Sequence, residues 1–66
     1  MNATVNGERR ELSEGTTLAD LVRSLDLSGG GIAVAVNERV VRGGAFAEHT
    51  LREGDAIEII RAVAGG

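Results

Sequence analysis

Thr17-Leu18-Ala19-Asp20-Leu21-Val22-Arg23-Ser24-Leu25 is the stretch on which the fold turns. Leu18, Leu21, Val22 and Leu25 recur at i, i+3, i+4 and i+7, so a helix gathers them into one apolar stripe and leaves Asp20, Arg23 and Ser24 in water. Thr17 offers a hydroxyl to cap the helix, and Asp20 stands where a capping box carries its longer glutamate. Gly29-Gly30-Gly31 is expected to stop the helix by supplying left-handed conformations. Upstream, Met1, Ala3 and Val5 alternate with Asn2 and Thr4, the pattern of a half-buried strand. Asn6-Gly7 then predicts a hairpin, because a type I′ turn needs positive φ at both central residues, and the return strand is Arg9 to Leu12. Downstream, Ile32 to Asn37 and Val40-Val41 read as strands. Gly43 to His49 is a loop with one helical turn that plugs Phe46 into the rim of the core. Glu53-Gly54-Asp55 is a turn, and the last strand runs from Ala56 to Ala62 with Ile57 and Ile59 on one face and Ile60 on the other. Residues 1–62 form one domain and 63–66 a flexible tail.

This order gives an α+β domain, a mixed sheet of about five strands with one helix laid across one face. It is similar to the ubiquitin-like β-grasp arrangement, in which the first and last strands lie side by side and parallel. That likeness, rather than periodicity, implies that Ala3 and Val5 meet Ile57 and Ile59 under Leu21, Val22 and Leu25.

Composition narrows the function. With 66 residues, 42% of them hydrophobic, burial is nearly all consumed by the entropy of ordering the chain, and little is left to enclose a substrate pocket. A self-contained enzyme is not expected; function belongs on the surface or at an end. The chain has no cysteine, hence no disulfide, thiol nucleophile or thiolate metal site. A net charge of −3 and Phe46 as the one aromatic residue disfavour nucleic acid and anionic membranes. The start has neither the basic region nor the apolar run of a signal peptide, and no segment is long enough to span a bilayer, so a cytoplasmic location is expected.

The candidate motifs inside the domain carry no chemistry. Gly29 to Gly31 leaves a helix and enters a strand, the reverse of a phosphate loop, and no Lys-Ser or Lys-Thr follows Gly43-Gly44. His49 has no second histidine or cysteine to share a metal and is expected to face solvent. Glu53, Asp55 and Glu58 lack calcium-loop spacing and read as a solvated turn and strand edge.

What remains is the end, Val63-Ala64-Gly65-Gly66. Four residues reach at most about 13 Å, enough to carry a carboxylate off the domain into a narrow channel where the absence of Cβ atoms avoids clashes. A carboxylate is ionised at neutral pH and a poor acyl donor, so chemistry at Gly66 requires activation, for which adenylation by ATP would serve. A sulfur nucleophile attacking the acyl-adenylate would leave a thiocarboxylate. No internal catalytic group is needed.

Val5-Asn6-Gly7-Glu8, Thr17-Leu18-Ala19-Asp20-Leu21, Ala33-Val34-Ala35-Val36-Asn37 with Val40-Val41, Leu51 through Gly54-Asp55, Ile57-Glu58-Ile59-Ile60 and the terminal Val63-Ala64-Gly65-Gly66 together resemble the ThiS family of sulfur carriers of thiamine biosynthesis, nearly end to end. The resemblance implies a protein co-substrate rather than an enzyme. It implies that a ThiF-like adenylyltransferase activates Gly66 with ATP, that Gly65 is its slim neighbour, and that no cofactor is bound by the carrier itself. A cysteine desulfurase or other donor would supply sulfur, and a ThiG-like thiazole synthase would take it. Family members often carry a Pro-Arg-Ser-x-x-Trp-like stretch after the fourth strand. Here Arg42-Gly43-Gly44-Ala45-Phe46 stands instead, with Phe46 in the tryptophan's place.

Partners are expected on the sheet face away from the helix, where alternation puts Ile60 in water, with Phe46 as a second contact. The carrier is expected to be a monomer that forms transient heterocomplexes. Three alternatives stay open: the small subunit of molybdopterin synthase or another ubiquitin-like sulfur carrier, a ubiquitin-like protein modifier, and a β-grasp module that only binds. All seven basic residues are arginine, so a modifier could not build lysine-linked chains on itself.

Overall fold

The computed structural model describes residues 1–26 and 31–61. The chain opens as a hairpin of β1 (Asn2–Val5) and β2 (Glu8–Glu11), joined by Asn6 and Gly7 with φ of 52° and 82°, as the Asn-Gly pair predicts. A second hairpin pairs β3 (Ile32–Val36) with β4 (Arg39–Val41). Its turn, Asn37-Glu38, also has positive φ at both residues, 51° and 69°, although no glycine announces it. Asparagine tolerates this region because its side chain bonds locally; glutamate does so only where the surrounding sheet holds it.

Between the hairpins lies α1 (Leu18–Ser24). Its capping box is complete: Asp20 N–H donates to Thr17 Oγ1 and Thr17 N–H to Asp20 Oδ2, both at 3.1 Å. Its end corrects the reading of the glycine run. Leu25 closes the helix, and Asp26, at φ 53°, is the left-handed residue that turns the chain away, its amide reaching Arg23 O at 3.1 Å. Gly29 and Gly30 lie outside the described residues; Gly31, at φ 72°, leads into β3 instead.

After β4 come a 3₁₀ helix (Gly43–Glu48) and the last described strand, β5 (Ala56–Arg61). The five strands lie in the order β2-β1-β5-β3-β4, with β1 and β5 parallel and the remaining pairs antiparallel. Val5 and Val36 both pair with Ile57, so one apolar row crosses three strands. Leu18 and Leu21 of α1 close over Ala3, Val5, Val34, Val36 and Ile57. Leu51 completes this core from a loop, a position the sequence pattern does not reveal. It is brought there by two backbone bonds that stitch the loop to the helix start, Leu18 N–H to His49 O at 2.8 Å and Leu51 N–H to Thr16 O at 2.9 Å.

Two acidic residues expected to be merely solvated have structural partners. Asp55 is buried; its Oδ1 accepts from Asn37 Nδ2 and its Oδ2 from Arg52 N–H, both at 2.9 Å. These bonds satisfy a carboxylate that burial would otherwise penalise. Glu53 Oε1 accepts from Asn2 N–H at 2.8 Å, tying the turn before β5 to the first strand.

Leu18 is fully buried, so Leu18→Ala should cost about 2–5 kcal/mol, measured as a loss of denaturant midpoint at constant slope. Asp20 is held below the ordinary carboxylate value chiefly by the Thr17 backbone bond, then by the Thr17 side chain and Arg23. A depressed folded pKa means its contribution is present in full above the unfolded value and is lost as pH falls through the folded one. The stability difference between wild type and Asp20→Asn should therefore shrink on acidification below about pH 4, measured by denaturant titrations across the acid limb.

Candidate functional site

The predicted site residues Gly66, Gly65, Ala64 and Val63 lie outside the described residues, as does Ala62 at the expected end of the last strand. The described site is therefore the root from which they leave. β5 runs through the middle of the sheet, and its final residues are held unequally. On one side Ile60 pairs with Ala33 and Arg61 with Ile32. On the other, β1 has already ended, and the Ile59 amide donates to the side-chain Oδ1 of Asn6 at 2.8 Å.

Strand alternation then sorts β5 onto two faces. Ile57 is buried and Ile59 half-buried beneath the helix, while Ala56, Glu58 and Ile60 point to the open face. Directly opposed residues share a face, so Ile60 lies beside Ala33, and Glu58 beside Ala35, which in turn lies beside Val40. Ile60 is 67% exposed and Val40 78%. Alternation finds Ile60, but Val40 depends on the register of the second hairpin, which follows only once Asn37-Glu38 is known to be a tight turn. Ile60, Val40, Ala33, Ala35 and Ala56 make this half of the face predominantly apolar, with the Glu58 carboxylate among them. The other half, toward β2, presents Thr4 and Arg9.

Phe46 does not join this surface. It is half-buried against the core, in a 3₁₀ helix that packs on α1, and so lies on the helix side of the sheet. The expected plug at the core rim is present, and Ile60 and Phe46 face different directions. His49 differs from expectation: it is half-buried, and its carbonyl receives the first helical amide. With Asn37, Arg39, Arg52 and Asp55 it lines a surface groove of about 570 Å³ near the start of β5, at the opposite end of the strand from the tail. Among the described residues no group of histidine and acidic side chains is placed to hold a metal ion.

The ThiS family model matches residues 3–66. This chain belongs to the ThiS family. Two sulfur carrier proteins ThiS are similar over nearly their whole lengths: that of Escherichia coli is 30% identical, with 100% of both chains covered, and that of Thermus thermophilus 36% identical, with 94% of this chain and 95% of the relative covered. A thiazole synthase of Magnetococcus marinus is 35% identical over 100% of this chain, which corresponds to 20% of that protein. The crystal structure of a thiamine biosynthesis protein (ThiS) from Geobacter metallireducens superposes with a TM-score of 0.84 at 30% identity, covering 100% of both chains. The mixed five-stranded sheet crossed by one helix is thus the ThiS fold, and the β-grasp expectation holds.

The two isoleucines of β5 separate core from surface. Ile60→Asp should leave folding stability within about 0.5 kcal/mol of wild type, while Ile57→Asp, which buries an unpaired carboxylate, should abolish the folded state. Far-ultraviolet circular dichroism with thermal melts checks both.

Proposed function

We propose that this chain carries sulfur as a thiocarboxylate on Gly66 in the thiazole branch of thiamine biosynthesis, as a co-substrate and not as an enzyme. The observation that carries the reading is the family match that extends to residue 66 and so includes Gly65-Gly66. The carboxylate attacks the α-phosphate of ATP on a ThiF-like adenylyltransferase, and pyrophosphate leaves. A sulfur nucleophile from a cysteine desulfurase or other donor then displaces AMP at the acyl carbon. The thiocarboxylate is handed to a ThiG-like thiazole synthase. The Magnetococcus marinus chain supports that acceptor, since a segment like this one makes up a fifth of a protein called thiazole synthase. In this proposal the carrier works in the cytoplasm, where ATP is available, as a monomer that engages these partners in turn.

The apolar half-sheet of Ile60, Val40, Ala33 and Ala35 is the proposed docking face, formed in part by β5, the strand that leads to the tail. Single exposed apolar residues are ordinary, but here two adjoin a floor of alanines. Phe46 contributes by anchoring the 3₁₀ segment rather than by joining that face.

The test is the intact mass of the protein after incubation with ATP, a ThiF-like adenylyltransferase and a sulfur source. Replacement of one oxygen by sulfur is expected in wild type and not in a variant lacking Gly66; no change in either, with an enzyme active on another carrier, would falsify the proposal. Ile60→Asp should raise the carrier KM for adenylation by about tenfold with its fold intact, the loss of one apolar anchor at an interface.

A further inference from the structure

We infer that Asn6 is a positioning residue for the tail: its carboxamide oxygen, bonded to the Ile59 amide, fixes the direction in which β5 leaves the sheet. The inference rests on the carrier reading above. It starts from the two asparagines that begin the two tight turns. Asn6 ends β1 and Asn37 ends β3, the two neighbours of β5, and both adopt positive φ, 52° and 51°. Each backbone amide donates to β5, Asn6 N–H to Ile57 O and Asn37 N–H to Ala56 O, both at 2.8 Å. Each side-chain oxygen then accepts from β5, Asn6 Oδ1 from Ile59 N–H at 2.8 Å and Asn37 Oδ1 from Ala56 N–H at 3.0 Å. In both places a side chain supplies the rung that the backbone stops providing once it turns away.

The two rungs differ in what else supports them. At Asn37 the carboxamide also donates to the buried Asp55, so that end of β5 is held by a network. At Asn6 the carboxamide bond follows Thr4 N–H to Asp55 O and Asn6 N–H to Ile57 O as the final bond between β5 and the β1 side among the described residues. Beyond it, Ile60 and Arg61 are paired with β3 alone. A strand held along one edge frays, so without the rung the end of β5, from which the sequence continues to Gly66, is less firmly held against that edge. Of the docking face, Ala33, Ala35 and Val40 lie on β3 and β4, away from that edge, and Ile60 keeps its pairing with Ala33. Loss of the rung should therefore reduce the fraction of docked carriers whose carboxylate enters the activating site, an orientational loss and not a binding one.

Asn6→Gly keeps the positive φ of the turn and removes the acceptor, whereas Asn6→Asp keeps an acceptor oxygen at the same place. Adenylation by a ThiF-like enzyme should show kcat lowered about fivefold in Asn6→Gly at nearly unchanged carrier KM, the weight of one exposed hydrogen bond, with Asn6→Asp close to wild type. Hydrogen exchange should quicken at the Ile59 amide of Asn6→Gly and stay slow at Val34. Faster Ile59 exchange with unchanged kcat, or equal loss in both variants, would overturn the inference. So would a rise in KM alone, which would place Asn6 in the docking face. A wild-type chain that releases no pyrophosphate overturns the carrier reading itself, and is distinguished because the exchange difference at Ile59 persists without it.

Discussion

Until the last strand docks, the protein has no continuous sheet. β1 with β2 and β3 with β4 are separate hairpins, each too small to be stable alone, and only β5 between them joins the two halves. The pairing of β1 with β5 brings together residues more than fifty positions apart, so the loop-closure cost falls on nearly the whole chain before the central contacts repay it. Ile57 is where that repayment concentrates, with Val5 on one side, Val36 on the other and the helix above. The strand that completes the core is also the strand that precedes Gly65-Gly66 in the sequence, where the proposed chemistry takes place.

The local signals were legible wherever one residue type answers one geometric demand. Asn6-Gly7 announced a turn that few other pairs can make, Thr17 and Asp20 announced a helix start, and the alternation of Ile57, Ile59 and Ile60 separated inside from outside. What escaped were features set by distant partners. Asn37-Glu38 turns because the chain must return as β4 beside β3, and glutamate is not a turn residue by preference. Leu51 is buried because loop amides bond to the helix start, and Asp55 because Asn37 and the Arg52 amide meet it there. The glycine run drew attention from Asp26, which ends the helix first. Of the site, the expectation at Gly66 is read from residue types and lies outside the described residues, whereas the open face needed the register of the second hairpin before Val40 could be set on the same side as Ile60.

The open half of the sheet face carries little side-chain bulk. Ala33, Ala35 and Ala56 present only methyl groups there, with Ile60 and Val40 as its large exposed apolar side chains. Glu58 on that face imposes a condition on whatever covers it. A carboxylate removed from water without a partner is costly, so a fitting surface must bring a cation or a set of amide donors to this position. On the proposed docking face, the apolar contact and the charge condition would thus fall to residues of the same two strands, β3 and β5.

At the other end of β1, Met1 and Leu12 exchange both of their backbone bonds, Leu12 N–H to Met1 O at 2.7 Å and the Met1 amine to Leu12 O at 2.8 Å. That is the geometry of one more antiparallel rung. A peptide amide in place of the amine would still present the hydrogen that Leu12 O requires, so polypeptide arriving from upstream would enter as a continuation of the strand. Such a continuation would meet the sheet at the end of β1 remote from the last residues of β5, since the two strands run parallel.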